Sequence, residues 1–173
     1  MASTDTKDYM HPFFAKEGWP FIGLSIGTLF FSLFFGLQEL ALVSVLISLF
    51  ILQFFRDPKR TGPSDGAAIT SPADGRVIFI GKETDPLQNS EALKISVFMN
   101  VFNVHSNRSP IEGTIEITDY SSGKFFNADL DKASEFNEKN SILFVDKNGR
   151  KLTCIQIAGL VARRICCYVQ PGD

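Results

Sequence analysis

Two hydrophobic rhythms divide this chain. Across residues 21–55 apolar side chains run almost unbroken, and Glu39 is the only charged residue. The run parts at Gly36-Leu37-Gln38-Glu39, leaving residues 21–35 before it and 40–55 after it. Neither half carries a polar stripe, so neither reads as a surface helix of a soluble domain. Each is about one turn short of the ~20 residues a perpendicular helix needs to cross hydrocarbon; Trp19 and Pro20 lengthen the first. The pattern predicts an apolar helical hairpin over residues 19–55. It either spans the bilayer as two short helices or lies shallow in one leaflet. A hairpin buried in a soluble protein is the weakest option, since a small domain cannot cover so much apolar surface. The run is too long and starts too late for a cleaved signal peptide. Ser25, Ser32, Ser44 and Ser48 are expected to return their hydroxyls to the helix backbone.

Beyond the hairpin the rhythm changes to short alternating runs separated by turn residues. Residues 76–81, 92–100, 113–118, 141–145, 151–157 and 165–169 each read as a strand. In the second, Leu93, Ile95, Val97 and Met99 alternate; in the third, Ile115 and Ile117 are expected on one face. Asn148-Gly149 between two apolar runs predicts a hairpin turn. Only residues 130–139 look helical. Strands do not alternate with helices, which disfavours a doubly wound parallel sheet. The expected fold is a mostly antiparallel β domain, sandwich-like or barrel-like, carrying an N-terminal apolar α-helical hairpin. The expected organisation is a tail over residues 1–18, the hairpin over 19–55, a linker over 56–70 and the β-rich domain over 71–173.

Composition sharpens this picture in three ways. The 173 residues are 45% hydrophobic and 21% charged, which excludes disorder as the main reading. Net charge is −2, so the basic footprint of a nucleic-acid binder is missing. Lys16 precedes the hairpin and Arg56, Lys59 and Arg60 follow it, whereas the connecting loop carries only Glu39. That asymmetry predicts both ends of the hairpin on the cytoplasmic side of a membrane, with Trp19 as an interfacial anchor.

Candidate chemistry is sparse. The two histidines, His11 and His105, flank the apolar run, and no HExxH or CxxC motif occurs, so no metal site is expected. Three cysteines do not make a disulfide framework. Adjacent Cys166 and Cys167 read as packed strand residues facing opposite ways. One cluster stands out: Asp74 in SPADG and His105 in NVFNVHSNRSP, with Asn103 and Arg108 beside it. Asp74 is either an Asx-type turn residue or a working acid. His105 is either structural or a proton carrier, the task imidazole performs best near neutrality. Arg163 and Arg164 interrupt an apolar stretch, either as a solvated strand end or as a fork for a phosphodiester.

At these residues the chain resembles the phosphatidylserine decarboxylases, specifically their short bacterial and archaeal branch. The resemblance runs through FFRDPKR (54–60), SPADGRV (71–77), FMNVFNVHSNRSPIEG (98–113), GKFFNADLDKASEFNEKN (123–140) and QIAGLVARRICCYVQPGD (156–173), in the family's order. It implies a membrane-bound carboxy-lyase that converts phosphatidylserine to phosphatidylethanolamine. It also implies a pyruvoyl cofactor, made when a proenzyme cleaves itself at a Gly-Ser bond, whose ketone forms a Schiff base with the headgroup amine. The α chain carrying that group, a phospholipid substrate, the cytoplasmic face of the cell membrane and a homodimeric state are implied with it.

By the same resemblance Asp74 matches the acid associated with self-cleavage, and His105 the histidine associated with decarboxylation and reprotonation. Longer family members carry a second histidine three positions on. Arg108 stands there instead, so a Ser-His-Asp cleavage triad does not transfer intact. Asn103, Arg108, Arg163 and Arg164 are expected to contact substrate. No Gly-Ser dipeptide occurs in the 173 residues. The pyruvoyl-forming serine is therefore expected C-terminal to Asp173, and these residues alone are expected to be inactive. The competing expectation is a non-catalytic, membrane-tethered β module that binds lipid or a protein partner.

Overall fold

The computed structural model describes residues 13–63, 68–124 and 136–173. They divide into two compact units. One comprises the chain up to Thr61 together with Val104–Ser106; the other holds Gly62–Asn103 and Asn107–Asp173.

The first unit is the expected hairpin. After a short 3-10 turn over Lys16–Gly18, α1 (Trp19–Phe34) runs to a reversal and α2 (Gln38–Phe54) returns. Pro20 sits in the first turn of α1, where its missing N–H costs no hydrogen bond. Gly36 makes the reversal possible. At φ +69° it donates to the Leu33 carbonyl, and Leu37 donates to that of Ser32 at 2.8 Å, which is a Schellman cap. The helices measure roughly 24 and 26 Å. Counted from Lys16, the first is long and apolar enough to cross a membrane, and the second is shorter.

The packing of this hairpin is inverted relative to a soluble protein. Ile22, Ser25 and Ser32 of α1 and Ala41, Ser44 and Ser48 of α2 are buried, with Ser32 fully so. As expected, the serines donate back into their helices, Ser32 to the Thr28 carbonyl and Ser44 to that of Leu40, both at 2.7 Å. Small side chains let two helix backbones approach closely. The outward face is the apolar one: Phe34 is 84% exposed, and Leu24, Phe30, Leu42 and Leu46 are exposed with it. At the open end, Ala15 donates to the Phe55 carbonyl and Asp57 to that of Phe13, each at 2.8 Å. Phe21 stacks on Phe55 with ring centroids 5.5 Å apart. The two ends of the hairpin are thereby tied to each other.

The second unit is antiparallel β, in two sheets that do not close into a barrel. Strands β1 (Arg76–Thr84) and β2 (Glu91–Phe98) form a two-stranded ribbon. Strands β3 (Thr114–Ser121), β4 (Lys139–Val145) and β5 (Lys151–Ile157) form the other sheet, in that order. Strand β4 is central and buried along its length, with Leu143 only 2% exposed. Ile111, Ile115, Ile142 and Phe144 form the core, and Leu152 and Cys154 pack on it. Burial pushes the Cys154 thiol up to about 11. The Asn148-Gly149 turn joins β4 to β5 as predicted. Asp146 organises it: Oδ1 accepts from the N–H groups of Asn148 and Arg150 at 2.8 Å, and Oδ2 accepts from Arg150 Nε at 2.6 Å.

Four expectations change. Ile115 and Ile117 do not share a face, because a bulge between them sets Ile115 opposite Phe144 and Ile117 opposite Leu143. The alternation of β2 does not make it a half-buried strand throughout, since Leu93 and Ile95 are exposed. Residues 165–169 form no strand; the Ile165 N–H is taken by the buried Glu138 carboxylate at 3.0 Å rather than by a neighbouring strand. Cys166 and Cys167 are consequently not packed on opposite faces, and both are exposed. The helix expected over residues 130–139 falls largely on 125–135, and His11 on 1–12, which lie outside the described residues.

Candidate active site

The β unit brings two motif-bearing loops side by side. Residues 70–75 run along residues 108–110. The Thr70 N–H and hydroxyl donate to the Pro110 carbonyl at 2.8 and 3.2 Å, and the Arg108 N–H donates to the Pro72 carbonyl at 2.9 Å. The Ser71 hydroxyl donates to the Ala73 carbonyl at 2.7 Å and closes the turn that leads into half-buried Asp74. Gly75 follows, so close to β2 that a Cβ would stand 2.3 Å from the Phe98 carbonyl oxygen. Only glycine fits, and β1 starts from it with Arg76 opposite Phe98.

A polar chain fixes the second loop on the three-stranded sheet. Asn140 Nδ2 donates to Gln156 Oε1 at 3.1 Å, and Gln156 Nε2 donates to Asn107 Oδ1 at 2.8 Å. Asn140 sits on central β4, so the loop is referred back to the most buried strand. Earlier in the loop, Asn103 Oδ1 accepts from the Asn100 N–H and Asn100 Oδ1 from the Phe102 N–H, each at 2.8 Å. Both amide oxygens are engaged by backbone. The NH2 groups are then the donors these side chains can offer a ligand.

Gly75, Arg76, Phe98, Asn100 and Asn103 line a recess of about 410 Å³. A guanidinium with two primary amides suits a carboxylate, a phosphate oxygen or a carbonyl oxygen. Asn103 was expected in a site. Arg76 and Asn100 were not singled out, although Arg76 directly follows the SPADG motif.

The other expected site residues are distributed as follows. Asp74 and Arg108 belong to the paired loops, through the turn and the Pro72 contact just described. His105 groups with the hairpin unit. Its ring packs on that of Phe54, the last residue of α2, tilted by 30° with centroids 4.2 Å apart. Val104 beside it is buried, and Arg60 reaches the Ser106 carbonyl at a long 3.4 Å. Arg163 and Arg164 are exposed and do not line the recess. Arg163 Nε donates to the Leu160 carbonyl at 2.9 Å, so part of its fork braces its own loop. Arg164 acts on Tyr120: local desolvation and the Glu138 carboxylate push that hydroxyl up, and Arg164 opposes them.

Comparison with known proteins gives one answer. A family model described as phosphatidylserine decarboxylase matches residues 47–173, which include both loops and all of the expected site residues. Relatives named phosphatidylserine decarboxylase proenzyme share about half of the sequence. That of Nitrosomonas eutropha is 51% identical over 168 residues, covering 97% of this chain and 78% of the relative. That of Ralstonia nicotianae is 51% identical over 166 residues, covering 95% and 77%. That of Cupriavidus metallidurans is 52% identical over 168 residues, covering 96% and 77%. Along most of its length the chain is thus similar to a class of decarboxylase proenzymes. Within it, the chain belongs to the phosphatidylserine decarboxylase family.

Proposed function

We propose that this chain is the larger part of a self-processing enzyme that decarboxylates phosphatidylserine to phosphatidylethanolamine at the cytoplasmic face of a membrane. The observation that carries the reading is the pairing of the SPADG and NRSP loops beside a recess lined by Arg76, Asn100 and Asn103. Its size suits a small polar headgroup rather than acyl chains. The inverted packing of the hairpin supports a lipid surroundings for α1 and α2, because apolar faces turned outward are stable in hydrocarbon and costly in water. The tie between its two ends supports placing both on one side of the membrane. The flanking Lys16, Arg56, Lys59 and Arg60 make that side the cytoplasmic one.

In this reading the cofactor is a pyruvoyl group derived from a serine C-terminal to Asp173, on an α chain that the β unit receives. The donor set of the recess fits a keto group and a carboxylate, and Asn100, Asn103 and Arg76 would hold them. When bound, the pyruvoyl ketone supplies the electron sink for loss of CO2. The chain's own residues do the rest. Asp74, fixed at the mouth of β1, serves proenzyme cleavage. His105 gives the proton that replaces the carboxyl group. Arg108, Arg163 and Arg164 contribute positive charge toward the phosphodiester. The Gly-Ser dipeptide that such processing needs does not occur among residues 1–173. The active species is a homodimer of processed chains.

The test uses protein expressed from the full coding sequence, presented with phosphatidylserine vesicles. Intact mass is expected to show two chains, the smaller one blocked at its N-terminus, and CO2 release is expected to follow. Asp74→Asn is expected to leave uncut proenzyme. His105→Ala is expected to lower turnover by about two orders of magnitude or more. Turnover without cleavage would refute the cofactor, and full turnover by His105→Ala would refute the role of that residue.

A further inference from the structure

We infer that Phe54 is a positioning residue for His105: the end of the second hairpin helix holds the plane of the imidazole through which the proton passes. The inference rests on the role given to His105 above and extends it to the hairpin. The ring contact is close and tilted, at 4.2 Å and 30°. Phe54 is itself held, with Phe50 5.9 Å away on the same helix and Phe55 packed edge-on at 5.1 Å. On the histidine side, Val104 is buried and Arg60 reaches the Ser106 carbonyl at 3.4 Å. The imidazole χ2 torsion is broad by nature, and an aromatic ring packed on its face narrows that range.

Proton transfer needs that narrowing. A donor must lie within hydrogen-bond reach of the atom it protonates, and small misplacements cost rate rather than affinity. The apolar hairpin is then more than an anchor. Its cytoplasmic end furnishes one face of the histidine's surroundings, and the lipid-embedded helix and the proton donor form one packed unit. An anchor alone would be satisfied by any apolar residue at position 54. A positioning role requires an aromatic face.

The test compares Phe54→Leu, Phe54→Tyr and His105→Ala in processed protein from the full coding sequence. Phe30→Leu, an equal apolar loss on the exposed face of α1, is the control. Assays use phosphatidylserine in mixed micelles. Phe54→Leu is expected to lower kcat roughly two- to tenfold, the range of an aromatic pair's contribution, with KM within about twofold. Phe54→Tyr is expected to restore kcat, and Phe30→Leu to leave it unchanged.

A second readout needs no turnover. The sequence has only two histidines, so His11→Gln leaves the His105 ring signal alone in the proton NMR spectrum of the 173-residue chain in detergent. That signal is expected upfield through the ring current of Phe54, to move downfield in Phe54→Leu and to stay upfield in Phe54→Tyr. An unmoved signal in Phe54→Leu, an unchanged kcat, or a loss that tyrosine does not restore overturns the inference. Normal turnover by His105→Ala instead overturns the reading on which it rests.

Discussion

Gly75→Ala isolates the step that joins the SPADG turn to β1. The added Cβ would stand 2.3 Å from the Phe98 carbonyl oxygen and 2.9 Å from both the Phe98 carbonyl carbon and Val97 Cγ1. Ordinary contact at these atoms is about 3.4–4 Å, so the strand must retreat by roughly an ångström. The nearest obstacle is the Phe98 backbone, at the first rung of the β1–β2 ribbon, which no side-chain rotation relieves. Overpacking of this kind costs about 1–3 kcal/mol. For a unit of this size that lowers Tm by about 4–12 °C. Gly62→Ala is the control, since a Cβ there meets nothing within 4 Å. Thermal unfolding of the detergent-solubilised chain, followed by far-UV circular dichroism, measures the difference. In full-length protein the same variant is expected to reduce the processed fraction, because Asp74 is displaced with its neighbour. A Gly75→Ala protein that melts with wild type and processes fully would refute the steric argument.

Two further predictions concern stability and reactivity. Burial acts to raise the Asp146 carboxyl, but the hydrogen bonds from Arg150 and the Asn148 N–H outweigh it and hold the group below the usual carboxylate range. Its contribution is therefore complete above the unfolded value near ~3.9 and is lost as pH falls through the lowered folded value. Asp146→Asn is expected to melt below wild type at pH 7, with the gap closing as pH is lowered below about 4; a gap that persists or widens in acid would contradict this. Cys154, half-buried against the core with its thiol pushed up to about 11, is expected to resist alkylation at pH 8, while exposed Cys166 and Cys167 react quickly. Three equally fast thiols in the native chain would show that the β4–β5 side of the core is open.

The sequence pattern alone determined the hairpin, its break at Gly36, the return of the serine hydroxyls to their helices, five of the strands and the Asn148-Gly149 turn. Each depends on near neighbours: apolar periodicity, a left-handed glycine, a short loop. The family, too, was legible, because its motifs lie in order along the chain. Side-chain direction was less secure. A single bulged residue turned Ile117 away from Ile115, and period-two reasoning has no means to foresee an inserted residue.

Only the tertiary structure decided which surface of the hairpin is outward. Sequence shows that serines are present, but helix–helix contact decides that they line the seam. Tertiary structure also set Thr70 and Pro72 against Pro110 and Arg108, and drew Arg76 and Asn100 into one recess with Asn103. It packed His105 on Phe54, 51 residues away in the chain. Those are long-range pairings, fixed by how the loops and strands pack, and no window along the chain contains them.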